Sequence, residues 1–407
     1  MPFASRWSDV SLIAGARGVS VCGDFLAATT LALVLQQNGH GGLAVSGLLL
    51  AASLPLALLA PVAGRVADRA DSRTVLVVAG LGQALVCAVL AFATHPVMII
   101  ALVAVLACGL AITQPTTAAL LPGMVRQDDL AKASGILQTS GLLGMLIAPA
   151  LAGVLVGQTG SRLPLLLDAG SYLALVVAGF LVRTRRRGGS SEAGPAQAVS
   201  WRLRDDHTLL AMVVALTAVI AGVGAINVVE VFFIRDTLGA STTMFGLISA
   251  SWMVGMLAGS FGFGRLPRGR ISVPGVLLLA AGSCVPVLVA AAVPSAGWLI
   301  PLWILGGICN GGINVFTTVI VAGRAPAAAH GRAYAALSAS VQGGNLLGLA
   351  LAGPLVEHFE PRVLVAALAV AGLLAAAACV PAVRLRPEPP SRPANGGDPR
   401  PRDSVGA

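Results

Sequence analysis

Two ionisable residues lie in the first long apolar stretch of the chain: Arg17 and, seven residues on, Asp24. Glu230 lies in a later one. A charge inside an apolar segment is costly and marks function by default. The chemistry open to a carboxyl in such a place is the loading and release of a proton. On a helix, seven residues are two turns along one face, about 10 Å by helical rise, too far for direct contact without water or bending. Burial favours the neutral carboxyl, and a nearby guanidinium favours the ionised one. Asp24 is therefore read as the proton-coupling carboxyl and Arg17 as the group that tunes it. Glu230 is the rival carrier, but it and Asp168 are placed near the outer ends of their segments, where water can solvate them. The alternative for Asp24 is a hydrogen bond between helices, or a hold on a cationic substrate.

Other chemistries find little support. The six cysteines (Cys22, Cys87, Cys108, Cys284, Cys309, Cys379) all sit in apolar runs with no Cys-x-x-Cys pair, and are read as small packing residues. The five histidines stand scattered at segment ends, so no metal site is expected. Lys132, the single lysine, follows Ala131, so there is no Gly-x-x-x-x-Gly-Lys-Ser/Thr phosphate loop and no ATP-hydrolysing motor on that motif. No nucleophile–base–acid set is evident. The chain is read as a non-enzyme without cofactor, with a proton gradient as its energy source.

The elements that must position these residues follow from composition. Of 407 residues 56% are hydrophobic and 11% charged, against about 25% charged in soluble domains. Aromatics are scarce at 4% and Gly is abundant, which suits helices packing closely in lipid. Runs long enough to span a bilayer occupy 10–36, 43–64, 74–94, 96–121, 134–157, 164–183, 208–234, 244–263, 273–293, 297–321, 332–356 and 361–383. Lone strands cannot satisfy their backbone in lipid, so these are twelve transmembrane helices of an all-α membrane protein. The first run is too long for the core of a cleavable signal peptide.

The net charge of +9 does not point to nucleic acid, because the basic residues stand between the apolar runs. With the N-terminus in the cytoplasm, the inner segments hold nearly all the arginines and the outer loops only Arg162, Arg235 and Arg362. That orientation puts both termini inside a bacterial cytoplasmic (inner) membrane. The expected organisation is a six-helix bundle over 1–183, a cytoplasmic linker over 184–207, a second six-helix bundle over 208–383 and a disordered tail over 384–407. The halves read as repeats. Ala150-Leu-Ala-Gly-x-Leu-Val recurs 200 residues later at Ala350, Gly144 pairs with Gly344, Ser140 with Ser340, and Gly64-Arg65 with Gly264-Arg265.

The segment after the second run reads Gly64-Arg-Val-Ala-Asp68-Arg69-Ala-Asp-Ser-Arg73. It resembles the Gly-x-x-x-Asp-Arg-x-Gly-Arg-Arg loop of the major facilitator superfamily; Gly64, Asp68, Arg69 and Arg73 match, while Asp71 and Ser72 depart. The resemblance implies a conformational latch, in which Asp68 caps a helix or pairs with an arginine across the half interface. The second-half copy, Gly264-Arg265-x-x-Arg268-x-Arg270, has lost its acid. The fifth run carries Gly135, Gly144, Ala148-Pro149 and Ala152-Gly153. It resembles the antiporter signature of drug-exporting members, with Ala148 and Ala152 in place of Gly. The resemblance implies that this face works against the eighth helix, here through Gly255 and Gly259. Ala16-Arg17-x-x-Ser20-x-x-Gly23-Asp24 and Asp168-Ala169 resemble macrolide- and siderophore-exporting members. The stretch from Leu102 to Ala111 lacks the arginine that many drug:proton antiporters carry in their fourth helix.

Candidates for the lining of a substrate cavity are Phe25, Thr113, Gln114, Asn227, Phe232, Asn310, Asn314 and Phe316. That set favours proton-coupled efflux of an amphipathic small organic molecule, such as a drug, antibiotic or siderophore, by alternating access. The alternatives are a proton-coupled importer of a small polar solute on the same fold, which fold alone does not exclude, and a non-transporting membrane sensor. Partners are then a small-molecule substrate and the lipid bilayer, with the chain functional as a monomer.

Overall fold

The computed structural model describes residues 5–182, 206–324 and 329–381. The expected linker, apart from its last two residues, and the whole of the tail lie outside them. Twelve helices are long and apolar enough to cross a membrane: α1 (Trp7–Gln37), α2 (Gly42–Arg69), α3 (Ser72–Leu90), α4 (Pro96–Met124), α5 (Leu130–Thr159), α6 (Arg162–Leu181), α7 (His207–Phe232), α8 (Thr242–Phe263), α9 (Val273–Ala290), α10 (Leu299–Arg324), α11 (His330–His358) and α12 (Pro361–Ala378). There are no strands among the described residues. Lipid leaves a backbone no other partner than its own helix. Large apolar side chains such as Leu85, Leu278 and Phe261 stand exposed on the outer surface, as lipid contact requires.

Four helix starts, those of α3, α7, α8 and α9, are capped by side chains. Asp71 accepts from Thr74 N at 3.0 Å, Asp206 from Thr208 N and Leu209 N at 3.0 Å, Ser241 from Met244 N at 3.2 Å and Ser272 from Gly275 N at 3.3 Å. Two boundaries correct the sequence reading. Helix α2 runs on to Arg69, so Gly64, Asp68 and Arg69 belong to its last turns, and the connection to α3 is Ala70–Asp71. Asp71, which departs from the family pattern, works as the α3 cap. The seventh span, expected to end at 234, runs on to Thr237, because a π-helical stretch, Phe233–Thr237, continues α7, with Phe233 and Ile234 fully buried.

Each half repeats one packing scheme. In the first, α1 packs on α5 and α6, α3 on α4 and α6, and α2 on α4; in the second, α7 packs on α11 and α12, α9 on α10 and α12, and α8 on α10. The halves meet through two equivalent contacts, α5 with α8 and α2 with α11. The offset of about 200 residues holds at the level of atoms. A Cβ on Gly144 would lie 2.5 Å from Gly18 O, and one on Gly344 2.5 Å from Thr217 O. Across the halves, the place for a Cβ on Gly246 lies 2.3 Å from Pro149 O, while Ser46 Oγ donates to Leu349 O at 2.5 Å.

Alternating helix direction collects most of the described arginines at one end of the molecule, with Arg162, Arg235 and Arg362 at the other. At the arginine-rich end, Arg324 bridges Asp206 at 3.1 Å, tying α10 to the start of α7, and Lys132 lies 4.8 Å over the Trp7 ring.

Candidate functional site

Between the halves lie two cavities with a shared lining of Phe25, Ala28, Leu49 and Ser53. The larger, about 1,110 Å³, is bounded by Arg17, Asp24 and Gln114 and reaches Gly64, Pro122 and Leu130 at the arginine-rich end. The smaller, about 500 Å³, lies toward the far end and includes Glu230, Asn227 and Asn310. Its remaining lining is mostly aromatic, aliphatic and thioether: Phe25, Met145, Phe245, Trp252, Met253 and Met256.

Beyond it the far end is bonded shut between the halves. Gln36 Nε2 donates to Asp236 Oδ1 at 2.6 Å, and Arg235 Nε donates to Gln36 Oε1 at 3.4 Å. The Glu357 carboxylate accepts from Leu43 N at 3.3 Å at the start of α2, where a negative charge suits the helix N-terminus. The space between the halves therefore extends toward the arginine-rich side.

Each half brings one carboxyl to this space. In the first half, Asp24 sits halfway along α1 and accepts a hydrogen bond from Tyr172 Oη at 2.5 Å. Arg17 lines the same cavity, with its Nε buried and without a partner. No ion pair joins Arg17 to Asp24, in keeping with their two-turn separation. Asp168 corrects the reading of that residue as peripheral and wet. It is 1% exposed, packed behind α1, with Ser171 Oγ donating to Oδ1 at 3.0 Å and Cys87 Sγ 3.2 Å from Oδ2. Gly23 makes room for it: a Cβ there would lie 2.2 Å from Asp168 Oδ1.

In the second half, Glu230 Oε1 accepts from Ser249 Oγ and from Trp303 Nε1, each at 3.2 Å. Trp252 stands edge-on to Trp303, with ring centroids 6.5 Å apart. Glu230 is thus not at a solvated outer end. The π-helical extension of α7 places two more buried residues beyond it, and it faces the cavity.

Of the other expected cavity residues, Phe25, Gln114, Asn227 and Asn310 line one or both cavities. Phe232 does not; it is 7% exposed and packed in the core. Phe316 is turned toward α8 and α9, edge-on to Phe263 at 5.8 Å and against Gly275. Thr113 is buried and bonds back to Leu110 O, and Asn314 is exposed outside both cavities. Sequence reasoning missed Tyr172, Ser249, Trp252 and Trp303. They carry no charge, and only the fold brings them to the carboxyls.

The small-residue face of α5 divides between two partners. Gly144, with Ala148 and Ala152 beside it, packs on α1 inside the first half. Pro149 and Gly153 face α8, where a Cβ on Gly153 would lie 2.4 Å from Thr242 O. Gly135 meets nothing within 4 Å. Gly255 and Gly259 are not the α8 partners of this face, because they pack on Ile304 and Ile308 of α10. Of the latch residues, Gly64 is open to the larger cavity and Arg73 lies 5.0 Å over the Phe180 ring. The Asp68 side chain lies outside the described residues, and Arg69 is exposed at the end of α2.

The model of the Major Facilitator Superfamily matches residues 13–226 and again residues 211–406. Multidrug resistance protein MdtG of Proteus mirabilis (strain HI4320) is 25% identical over 299 residues, 72% of this chain and 74% of that protein. The uncharacterized MFS-type transporter YfiS of Bacillus subtilis (strain 168) is 23% identical over 355 residues, 83% of this chain and 84% of that protein. Among solved structures, a bacterial homolog of the human lysosomal transporter Spinster, in an inward-facing and occupied conformation, superposes with a TM-score of 0.77 at 15% identity, covering 94% of this chain and 98% of that one. The nucleoside transporter NupG gives a TM-score of 0.74 at 14% identity, covering 92% and 98%. At these identities the structures speak for the fold. Two family matches, together covering both six-helix halves, place this chain in the Major Facilitator Superfamily, as a multi-pass membrane transporter and not an enzyme.

Proposed function

We propose that this transporter exports amphipathic small organic molecules from a bacterial cytoplasm in exchange for protons, by alternating access of the central cavity. The observation that carries the reading is the smaller cavity: a lining of aromatic, aliphatic and methionine side chains with one carboxyl, Glu230, held in its wall. Such a lining takes an apolar body by burial, with Asn227, Asn310 and Asn345 as hydrogen-bonding groups and no basic side chain for an anion. The multidrug relative points the same way. Asp24 is the coupling carboxyl, open to the larger cavity beside Arg17. The test is a compound panel in everted membrane vesicles carrying a pH gradient. Amphipathic compounds are expected to discharge the gradient and to accumulate; if instead no amphipath accumulates and a polar solute loaded into the vesicles leaves together with protons, the importer reading replaces this one.

The orientation belongs to the same proposal. Arginine-rich ends face the cytoplasm, so reporter fusions at residues 190 and 395 are expected to read cytoplasm and a fusion at 295 periplasm. A periplasmic signal at 190 would overturn the assignment.

Glu230→Gln keeps an oxygen for Ser249 and Trp303 and removes the charge. Transport of cationic amphipaths is expected to fall roughly tenfold or more, the weight of one contact to a charged group (about 1.5–3 kcal/mol), while neutral amphipaths keep their flux. Equal losses for both classes would assign Glu230 to coupling and not to substrate.

A further inference from the structure

Asp168 lines neither of the two cavities between the halves. It is enclosed by Gly23 on α1, Cys87 on α3, and Ser171 and Tyr172 on α6. The titratable groups around it are Cys22, Cys87, Tyr172 and Asp24; Arg17 lines the larger cavity with Asp24. Among the described residues no arginine, lysine or histidine pairs with it. Its donors are one hydroxyl and one thiol, and a thiol is a weak donor. That is too little to hold a carboxylate charge in a dry interior, with a second carboxyl in the same cluster.

The hydrogen count has room for a proton on this carboxyl: the Cys87–Oδ2 contact closes with either the thiol or the acid as donor. Cys87 has one S–H and two oxygen neighbours, Leu165 O at 3.3 Å and Asp168 Oδ2 at 3.2 Å. If the S–H goes to Leu165 O, the contact with Oδ2 is a bond only when Oδ2 carries its own proton and gives it to the sulfur. Ser171 Oγ–H then serves Oδ1. One added proton satisfies every polar atom of the pocket.

We propose that Asp168 holds a resident proton on Oδ2, donated to Cys87 Sγ, so that a neutral carboxyl stands behind the cavity-facing Asp24. Asp168 is then a positioning residue. It touches neither cavity, and it acts by removing a like charge from beside Asp24, which is free to exchange its proton against Arg17 alone. This functional weight rests on Asp24 as the coupling carboxyl; the protonation itself does not.

The test is infrared difference spectroscopy of the purified full chain in lipid vesicles near neutral pH. Asp168→Asn is expected to lose a carbonyl-stretch band of a protonated carboxyl that Asp24→Asn keeps. Variant-minus-wild-type spectra separate this band from any due to Glu230. Cys87→Ala, which only shortens a buried side chain, is expected to shift the band to higher frequency by removing its hydrogen-bond acceptor, and it carries the test alone should Asp168→Asn not fold. A band lost in Asp24→Asn and kept in Asp168→Asn, or one unmoved in Cys87→Ala, overturns the proposal. A protein that shows the band but moves no compound of the panel counts against the exporter reading and not against the proton.

Discussion

Asp24→Asn is expected to abolish proton-driven export while leaving the protein folded and in the membrane. The amide keeps an oxygen for the Tyr172 hydroxyl, which donates to Asp24, so packing between α1 and α6 persists. What is lost is the ability to ionise. With no charge to gain or lose, the residue cannot distinguish the two sides of the membrane, and uphill movement of substrate is expected to fall to background in vesicles with an imposed pH gradient. Downhill exchange is expected to survive, because the cavity lining is untouched. Tyr172→Phe is a graded companion: removing a hydrogen bond to a charged group, about 1.5–3 kcal/mol, is expected to lower coupled flux roughly tenfold or more. Uphill pumping by Asp24→Asn at the wild-type rate, with normal discharge of the pH gradient, would remove Asp24 as carrier and make Glu230 the next carboxyl to test.

The second large effect separates two glycines of one helix. Gly153→Leu puts a side chain where a Cβ alone would lie 2.4 Å from Thr242 O and 3.1 Å from the Cα of Gly246. Both atoms are α8 backbone, so no rotamer change relieves the clash. The clash falls between the halves at their closed end, so it wedges that end apart and disfavours this conformation. Transport is expected to fall to background with protein still present, and a Cys introduced at Gln36 is expected to label from the far side several-fold faster than in the parent. Gly144→Leu behaves differently. Its clash, 2.5 Å to Gly18 O and 2.9 Å to Cys22 N, is with α1 inside the same half. Overpacking of this kind typically costs about 1–3 kcal/mol, and the expected result is loss of folded protein. If Gly153→Leu transports normally, the α5–α8 contact is not part of the cycle.

Much of this molecule is written in one dimension. Twelve apolar runs, the arginines between them and the 200-residue recurrence of Gly144 and Ala150 at Gly344 and Ala350 determine twelve helices in two related halves. The reason is that lipid admits helices and punishes charge whatever the neighbours are. For the same reason Asp24 and Glu230 stood out as functional candidates. The sequence could not assign faces. An almost uniformly apolar helix shows no amphipathic stripe to tell core from lipid or cavity, so Phe232 and Phe316 looked as suited to the cavity as Phe25, and Gly255 and Gly259 as suited to α5 as to α10. Depth also escaped it. The sequence reads Asp168 as wet because it is the fifth residue of the run 164–183, near its outer end, and only the packing of α1 and α3 over α6 leaves it 1% exposed. Trp252, Trp303 and Tyr172 stand far from Glu230 and Asp24 along the chain, and their hydrogen bonds and ring contacts exist only because two half-bundles fold around a common cavity.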